Sequence, residues 1–237
     1  MSELKVVVNG AKGRMGKEAV QAISAQSDMK VVFEADRGDD LQSILTDLKP
    51  DVVVDLTVAS VGFKNAKIIL ENKVRPVIGT SGFKKTEVDF LIALAEKNSV
   101  GGIIAPNFAL GAVLMMKFSK IAAQYMDSAE IIELHHEKKE DFPSGTAIKT
   151  AELIAENSNM KSFNHEGRGV VHAGIPVHSV RLPGFVAHQE VIFGGLGQVL
   201  TLRHDSLNRE SFMPGILLAC RKVMGLDHLV YGLDNLI

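Results

Sequence analysis

The sequence predicts an α/β fold, with a Rossmann-like, doubly wound parallel-sheet domain and a central α+β domain whose sheet is mainly antiparallel. Two observations predict it. Apolar, β-branched runs alternate with helical patterns as far as about residue 105, an order typical of a parallel sheet that binds its ligand at the carboxyl ends of the strands. After Pro106 the alternation gives way to helices and to several strands separated by Gly and Pro, which is typical of an α+β region.

The elements of the first half follow from hydrophobic periodicity. The run Asp51–Leu56 is apolar on both faces, as a strand covered by helices on both sides has to be. Apolar residues at helical spacing mark the segments between the strands, and Ser60 is expected to cap the third helix. The predicted strands are Lys5–Asn9, Lys30–Ala35, Asp51–Leu56, Arg75–Ile78 and Gly101–Ala105. The predicted helices are Met15–Gln26, Leu41–Leu48, Ser60–Asn72 and Lys85–Asn98.

The second half is predicted to contain both helices and strands, with a polar, Gly-containing loop over residues 158–169. Gly225 is expected to be the C-cap of the last helix. The predicted strands are Glu130–His135, Val177–Arg181, Val186–Phe193 and Gln198–His204. The predicted helices are Gly111–Met126, Thr146–Asn157 and Phe212–Met224.

Composition argues against several classes of function. The 237 residues are 46% hydrophobic and 23% charged with a formal net charge of −2, so bulk electrostatics give no reason to expect nucleic-acid binding. No apolar run approaches the roughly 20 residues that span a bilayer, and the N-terminus enters a strand without the pattern of a secretory signal. We therefore expect a cytoplasmic protein with no membrane partner. The one cysteine, Cys220, lies in an apolar helical setting and is expected to be buried and unreactive.

The first strand runs into a glycine-rich loop, Gly10–Gly16, and then into a helix. Glycines allow a tight turn and close approach of the backbone to a diphosphate, and a helix N-terminus directs amides at it. Asp36 lies about 20 residues farther on, where a carboxylate accepts hydrogen bonds from an adenosine ribose. The alternative is that these are ordinary turn glycines. A mononucleotide P-loop is disfavoured, because Glu18 follows Lys17 where a Ser or Thr would hold magnesium.

The preference between the two nicotinamide cofactors depends on three side chains. Asp36 suits the free ribose hydroxyl of NADH and would repel a 2′-phosphate, whereas Arg37 and Lys12 are placed to bind that phosphate in NADPH. We predict use of both cofactors, with a leaning to NADPH.

Two further loops follow strands of the predicted parallel sheet, at Gly79–Gly82 and at Ala105–Phe108. Their small residues and the amide of Asn107 are suited to approach a nicotinamide ring at the carboxyl edge of the sheet. The alternative, that both are ordinary connections between a strand and a helix, is nearly as good from the residues alone.

The segment from His135 to Thr146 is predicted to carry the chemistry. Between a strand that ends at His135 and a helix that starts near Ser144 lie His136 and the lysines 138 and 139. The Ser144 hydroxyl and the amides of Gly145 and Thr146 suit a carboxylate at a helix N-terminus, while lysine and histidine add positive charge and a proton donor. This combination indicates a site for a small dianionic substrate.

Two other interpretations of this segment compete. Adjacent histidines and a lysine pair are often only solvated surface. A zinc site is less favoured, because adjacent histidines point to opposite faces of a strand and neither a nearby Cys nor an H-E-x-x-H spacing completes a ligand set. We expect no metal.

These motifs, taken in order, resemble those of the dihydrodipicolinate reductase family. They span nearly the whole chain, and the His-His…Lys…Pro-Ser-Gly-Thr element is highly specific. The matching pieces are Gly10–Gly16, Gly79–Gly82, Ala105–Phe108, Glu133–His136, Ser144–Ala147, His178–Arg181, His188–Glu190 and Arg203–Arg209. The departures are Asp36 for a more usual Glu, Ser81 for Thr, Phe142 for Ala, and a short segment from Arg37 to Asp51.

The resemblance implies an NAD(P)H-dependent oxidoreductase of the diaminopimelate route to lysine. Its implied reaction reduces the conjugated imine formed from 4-hydroxy-tetrahydrodipicolinate when water is lost. It also implies a dinucleotide-binding domain at 1–107 and 213–237, and at 108–212 a domain that binds the small dicarboxylate substrate and assembles a homotetramer.

The resemblance also implies roles for individual residues. His135 and Lys139 match the proton donors, and Lys139 would balance developing negative charge. The substrate-binding residues are His136, Ser144, Gly145 and Thr146. The cofactor-binding residues are Gly10, Ala11, Lys12, Gly13, Arg14, Met15, Asp36, Arg37, Gly79, Thr80, Ser81, Ala105, Pro106, Asn107 and Phe108.

Two alternatives remain open beside this interpretation. A different nicotinamide reductase, such as an amino-acid dehydrogenase, would share the Gly10–Gly16 loop but has no need for the Pro-Ser-Gly-Thr turn. A non-catalytic dinucleotide sensor would bind NAD(P)H without turnover, and it leaves the basic segment after His135 unexplained.

Overall fold

A computed structural model describes residues 3–80, 82–158, 160 and 169–237. The chain forms two compact units. Unit 1 comprises Met1–Phe108 and Arg209–Ile237, and unit 2 comprises Ala109–Asn208. The assignment of cofactor binding to one unit and of substrate binding to the other stays a prediction.

Unit 1 contains a six-stranded parallel sheet with the strand order β11-β5-β4-β3-β1-β2. The predicted Rossmann-like sheet is therefore confirmed. Its strands are β1 (Leu4–Asn9), β2 (Met29–Ala35), β3 (Val52–Asp55), β4 (Arg75–Ile78), β5 (Gly102–Ile104) and β11 (Leu229–Tyr231). Its helices are α1 (Arg14–Ser24), α2 (Leu41–Leu48), α3 (Ala59–Glu71), α4 (Lys85–Asn98) and α7 (Met213–Lys222).

The order of the strands explains why the sheet is covered on both faces. The chain passes from β1 outward to β2 and then back across β1 to β3, and right-handed crossovers place the connecting helices on opposite faces when the direction reverses. Accordingly α1 packs with α7, while α2 packs with α3 and α3 with α4. All four residues of β3 are buried, as its continuous apolar run predicts.

Three details of unit 1 differ from the sequence prediction. The strand β11 was not predicted, because three residues are too few to show a period. The N-cap of α3 is Val58, which makes no side-chain cap, so Ser60 lies inside the helix. Helix α7 ends at Lys222 with Val223 as its C-cap, and a 3₁₀ turn continues through Gly225, so Gly225 is not the C-cap.

Unit 2 contains a five-stranded sheet with the order β10-β9-β6-β8-β7. Only β6 and β8 pair in parallel, and the other three pairings are antiparallel, which confirms the predicted mainly antiparallel sheet. Its strands are β6 (Ser128–His135), β7 (Val170–His172), β8 (Ile175–Arg181), β9 (Ala187–Gly195) and β10 (Gln198–Ser206). Its helices are α5 (Leu110–Ala122) and α6 (Gly145–Glu156). The predicted loop over 158–169 lies largely outside the described residues.

The core of unit 2 forms where α5 and α6 pack against its sheet. Ile131 on β6, Ile154 on α6 and Phe193 on β9 are completely buried and belong to one apolar cluster. Among the residues that the structure describes, no helix has the length and apolarity needed to cross a bilayer. Cys220 is buried in unit 1, as expected, and burial raises the pKa of its thiol to about 12.

Candidate functional site

The carboxyl ends of the strands in unit 1 line two adjoining clefts. The chain adds β2 on one side of β1 and β3 on the other, and this reversal of the strand order leaves a crevice at this edge, where open α/β sheets bind their ligands. Both clefts include Leu56–Val58, just after β3. The larger, of about 500 Å³, is lined by residues that include Gly10, Gly13, Asp36, Arg37 and Asn65. The smaller, of about 400 Å³, is lined by residues that include Met15, Gly79, Thr80, Asn107 and Phe108.

The glycine-rich loop forms the tight strand-to-helix turn that the sequence predicts. Gly10 has a φ of +84°, a backbone conformation that favours glycine because it has no Cβ. A Cβ on Gly16 would lie 2.1 Å from the carbonyl oxygen of Gly10, so only glycine lets α1 pack this closely on the loop. Because α1 starts at Arg14, its N-terminus faces this edge of the sheet. A dinucleotide diphosphate therefore fits this part of unit 1.

Asp36 joins the glycine-rich loop to the end of β2. Its carboxylate accepts hydrogen bonds from the backbone N–H of Arg37 at 2.7 Å and of Lys12 at 2.8 Å. These two backbone bonds, that from Arg37 first, lower the pKa of Asp36. The carboxylate therefore stays ionised beside the larger cleft, and it holds the Lys12 backbone in place.

A buried carboxylate that was not predicted as a site residue, Asp55, lies at the end of β3. It accepts hydrogen bonds from the side chains of Asn9 at 2.8 Å, Thr57 at 2.6 Å, Asn65 at 2.8 Å and Thr80 at 3.1 Å. These neutral donors come from the ends of β1 and β4, from the segment after β3, and from α3. Asp55 thus ties together the segments that line both clefts. The signal in the sequence was a lone charged residue at the end of an otherwise apolar strand.

The remaining predicted cofactor residues lie along the same edge. Gly79, Thr80, Pro106, Asn107 and Phe108 line the smaller cleft, although the Thr80 hydroxyl is also bonded to Asp55. Ala11 and Ala105 are buried. Ser81 lies outside the described residues. The structure thus collects most of the predicted cofactor residues at one edge of the unit 1 sheet, and their contacts with a cofactor stay a prediction.

In unit 2, a buried ion pair lies directly beside His135. Residues two apart on a strand share a face, and on β6 the carboxylate of Glu133 lies 2.5 Å from Nδ1 of His135. Arg181, the register partner of His135 on β8, donates hydrogen bonds to both Glu133 oxygens at 2.7 and 3.0 Å. The Glu133 side chain is completely buried, and that of His135 is 14% exposed.

The charge of Glu133 is set by its hydrogen bonds. Burial acts to raise the pKa of this carboxyl, but bonds from His135, Arg181 and Ser179 outweigh burial and hold the pKa at about 2. Glu133 is therefore an anion at every pH at which enzymes usually work. The sequence places Glu133 in a family motif, but the residue types alone give it no role.

Lys139 lies in the segment that joins β6 to α6. Its ammonium group contacts the carboxylate of Asp141 at 2.6 Å, and this bond from Lys139 is the main cause of the lowered pKa of Asp141. Arg181 reaches the same segment, since it donates a hydrogen bond to the backbone carbonyl of Asp141 at 2.9 Å. Lys139 and His135 are thus connected through Asp141, Arg181 and Glu133.

The helix α6 begins at Gly145, one residue before the predicted start, and Ser144 is its N-cap. The Ser144 hydroxyl is buried and accepts a hydrogen bond from the backbone N–H of Ala147 at 3.2 Å. A Cβ at Gly145 would meet nothing within 4 Å, so the backbone is open to a ligand there. His136 is exposed, in the turn directly after β6. The exposed ring of Phe142, in the Ala position of the family pattern, precedes the cap by two residues.

The described residues offer no group of three or more His, Cys, Asp or Glu side chains arranged to hold a metal ion. The unit 2 segment offers an imidazole, an ammonium group and a helix N-terminus. Together these suit a ligand that carries carboxylates and accepts a proton.

Comparison with known proteins gives the same family over both units. The family described as "Dihydrodipicolinate reductase, N-terminus" matches residues 4–108, and "Dihydrodipicolinate reductase, C-terminus" matches residues 111–237. The chain is 49% identical to a 4-hydroxy-tetrahydrodipicolinate reductase of Geobacillus thermodenitrificans, with 99% of each protein covered. It is 48% identical to the protein of that name from Coxiella burnetii, again with 99% of each covered.

A solved structure extends this likeness to three dimensions. It is described as dipicolinate-bound dihydrodipicolinate reductase from Paenisporosarcina sp. TG-14, and it superimposes with a TM-score of 0.89 at 44% identity. The match covers 99% of this chain and 100% of that one. The family models, the sequence identities and the fold agree, and the chain therefore belongs to the dihydrodipicolinate reductase family.

Proposed function

We propose that this chain catalyses the NAD(P)H-dependent reduction of 4-hydroxy-tetrahydrodipicolinate to tetrahydrodipicolinate, in the diaminopimelate route to lysine. The observation that carries the proposal is the membership of the whole chain in this reductase family. The chemistry available at the two sites agrees with it. Unit 1 has a cradle for a dinucleotide, and unit 2 has cationic donors beside a helix N-terminus.

The cofactor is assigned to the edge of the unit 1 sheet. The glycine-rich loop and the start of α1 would hold its diphosphate, and Asp36, Arg37 and Lys12 surround the expected position of the adenosine ribose. When bound, the reduced nicotinamide supplies the hydride. Because Lys12 and Arg37 are exposed cations beside one fixed carboxylate, we expect both NADPH and NADH to be used, with NADPH favoured.

The substrate is assigned to unit 2. The Paenisporosarcina relative was solved with dipicolinate bound, a planar ring with two carboxylates, and we propose the same class of ligand here. One carboxylate would accept hydrogen bonds from the backbone of Gly145 and Thr146 at the start of α6. His136 and Lys139 would add positive charge.

The proton is assigned to His135 and Lys139. When hydride is added to a conjugated imine, the adjacent carbon becomes electron-rich and has to take a proton. His135 is held by Glu133 and would give the proton directly or through a water molecule, whereas the Lys139 ammonium would offset the negative charge that develops. Substrate carboxylate would then replace Asp141 as the partner of Lys139.

The proposal also includes the assembly and the location of the protein. A homotetramer, a cytoplasmic location and the absence of nucleic-acid or membrane partners all stay predictions.

A coupled assay tests the proposed reaction. Dihydrodipicolinate synthase generates the substrate in the cuvette, and loss of NADPH or NADH absorbance after addition of the purified chain reports its reduction. We expect loss of absorbance that requires both the synthase and this chain. An amino-acid dehydrogenase would instead respond to its own substrates in a parallel panel. A non-catalytic sensor would bind NADPH, seen as a change in its fluorescence, without consuming it, and either result would refute the proposal.

A further inference from the structure

We propose that the buried Glu133–Arg181 ion pair is the positioning element of the catalytic segment, with Glu133 orienting His135 and Arg181 fixing the turn that carries Lys139. The inference rests on the proposed function, because it assigns to the pair a part in the same reaction. It goes beyond the family resemblance, which gives neither residue a role.

The burial of Glu133 in the middle of a sheet requires an explanation. A carboxylate removed from water loses its hydration, and a buried ion pair rarely stabilises a fold more than apolar residues of the same shape. Glu133 lies on β6, the middle strand of the sheet, two residues before the strand ends. Its side chain is completely buried, and its oxygens accept hydrogen bonds from Arg181, His135 and Ser179. A contribution to the stability of the fold therefore does not explain why a carboxylate is buried here. A role in orienting the side chains that contact it explains this better.

The charge of Glu133 determines which nitrogen of His135 carries a proton. A carboxylate only accepts hydrogen bonds, so the Nδ1 atom at 2.5 Å from Glu133 has to be the donor. Nε2 is then the nitrogen left to exchange a proton with substrate or water. The same logic applies where a second group fixes the tautomer of a histidine ligand or base.

Arg181 connects this pair to the turn after β6. It donates to both oxygens of Glu133, to the carbonyl of Val180 at 2.8 Å, and to the carbonyl of Asp141 at 2.9 Å. Asp141 is the partner of Lys139, so the guanidinium sets the position of the backbone next to the second donor. Lysine has one compact ammonium group, which cannot reproduce these forked contacts.

The chain offers a matched control on the same two strands. Glu130 on β6 contacts His178 on β8 at 2.8 Å, and their side chains are 37% and 34% exposed. This is a second Glu–His pair of the same type, outside the proposed catalytic segment. Glu130→Gln should therefore change His178 while leaving His135 and turnover as they are.

The test compares Glu133→Gln, Arg181→Lys and Glu130→Gln in protein labelled with ¹⁵N at its eight histidines. The His135 signals are assigned by their loss in His135→Gln. In the wild type we expect the shifts of a ring protonated at Nδ1. In Glu133→Gln we expect these shifts to move toward the other tautomer, with kcat lower by about 10²-fold and the KM for NADPH within about twofold.

Arg181→Lys separates the two parts of the proposal. Because Glu133 remains, the His135 shifts should stay close to those of the wild type, whereas the KM for the dicarboxylate substrate should rise as the turn around Lys139 moves. If Glu133→Gln does not fold, as seen by circular dichroism, Glu133→Asp takes its place, since the shorter carboxylate keeps the charge but withdraws from Nδ1 and should lower kcat.

Two results would overturn the proposal. One is a folded Glu133 variant whose His135 shifts and kcat equal those of the wild type, and the other is an Arg181→Lys enzyme with unchanged kinetics. Failure of the proposed function is distinguishable, because wild-type chain that does not consume NADPH in the coupled assay refutes the reaction, while the ¹⁵N shifts still report whether Glu133 orients His135.

Discussion

At the scale of single residues, two buried carboxylates organise the two candidate sites by different means. In the network described above, Asp55 in unit 1 accepts hydrogen bonds from neutral side chains, whereas Glu133 in unit 2 is bonded to a guanidinium and an imidazole. Neutral donors fix the backbone segments around a cleft. The guanidinium and imidazole donors instead keep Glu133 ionised, and the proposed role of Glu133 is to orient His135.

The proton donors give the first prediction at this scale. His135→Gln and Lys139→Met should each lower kcat by about 10²- to 10⁴-fold, the usual contribution of a positioned acid, with little change in the KM for NADPH. Steady-state kinetics in the coupled assay measure both constants. The control is Lys138→Met, because Lys138 is an exposed neighbour with the same charge. Near-normal turnover in both His135→Gln and Lys139→Met would show that neither residue is the proton donor.

Lys12 gives the second prediction. If its ammonium group binds the 2′-phosphate, Lys12→Ala should raise the KM for NADPH about tenfold, since a hydrogen bond to a charged group contributes about 1.5 kcal/mol. The KM for NADH should stay within about twofold. Lys97→Ala, which removes an exposed charge at the far end of α4, should alter neither. An equal change in the KM values for NADPH and NADH would show that Lys12 does not bind the 2′-phosphate.

The pKa of Glu133 gives a prediction about stability against pH. Since the folded pKa of about 2 lies below the ordinary value of 4.5, the carboxylate contributes stability that is complete above about pH 4.5. That contribution is lost as the pH falls toward 2, and its upper limit is about 3 kcal/mol. Urea unfolding from pH 6 to 3 should therefore show a steeper acid loss for the wild type than for Glu133→Gln. Parallel curves for the two proteins would contradict this.

The role of these carboxylates could not be predicted from the sequence, for a physical reason. The segment between β6 and α6 indicated an anion site through its residue types alone, which are His, Lys, Ser, Gly and Thr. Glu133 and Asp55 act through partners such as Arg181 and Asn9, which are 48 and 46 residues away along the chain. Register between strands creates those contacts, and a single sequence does not reveal register.

At the scale of elements, the proposed cofactor site depends most on the turn between β1 and α1. Its position followed from the sequence, because a strand, spaced glycines and a helix form a recognisable unit. The exact ends of helices were less predictable. Ser60 has the residue type of a cap but lies inside α3, because the chain enters the helix at Val58. Strand β11 exists because the edge of β5 offers it hydrogen-bonding partners.

Gly16→Ala tests the packing of this turn. Its Cβ would lie 2.1 Å from the Gly10 carbonyl oxygen, so the loop has to move, at a cost of about 1–3 kcal/mol. We expect the Kd for NADPH, measured by fluorescence titration, to rise at least about fivefold. Gly225→Ala is the matched control, since nothing lies within 4 Å of its Cβ. Unchanged NADPH affinity in Gly16→Ala would mean that this loop is not the phosphate site.

At the scale of the whole molecule, the fold class was predictable because it depends on the hydrophobic pattern of many residues together. The alternation of strands and helices up to Ile104, and its loss afterwards, reflects the division into a parallel sheet and a mainly antiparallel one. An error at a single element, such as the missed strand β11, does not change that overall pattern. The resemblance to a reductase family was likewise carried by motifs spread over the whole chain, and the comparisons over 99% of its length confirm it.

The claim that unites both units is that this chain moves hydride from a nicotinamide to a cyclic dicarboxylate. Mass spectrometry of the product tests it most directly, with NADPH deuterated at C4 of the nicotinamide in each of its two stereoisomers. We predict that one isomer gives tetrahydrodipicolinate one mass unit heavier than the unlabelled product and that the other does not. Product that carries no deuterium from either isomer would contradict the claim.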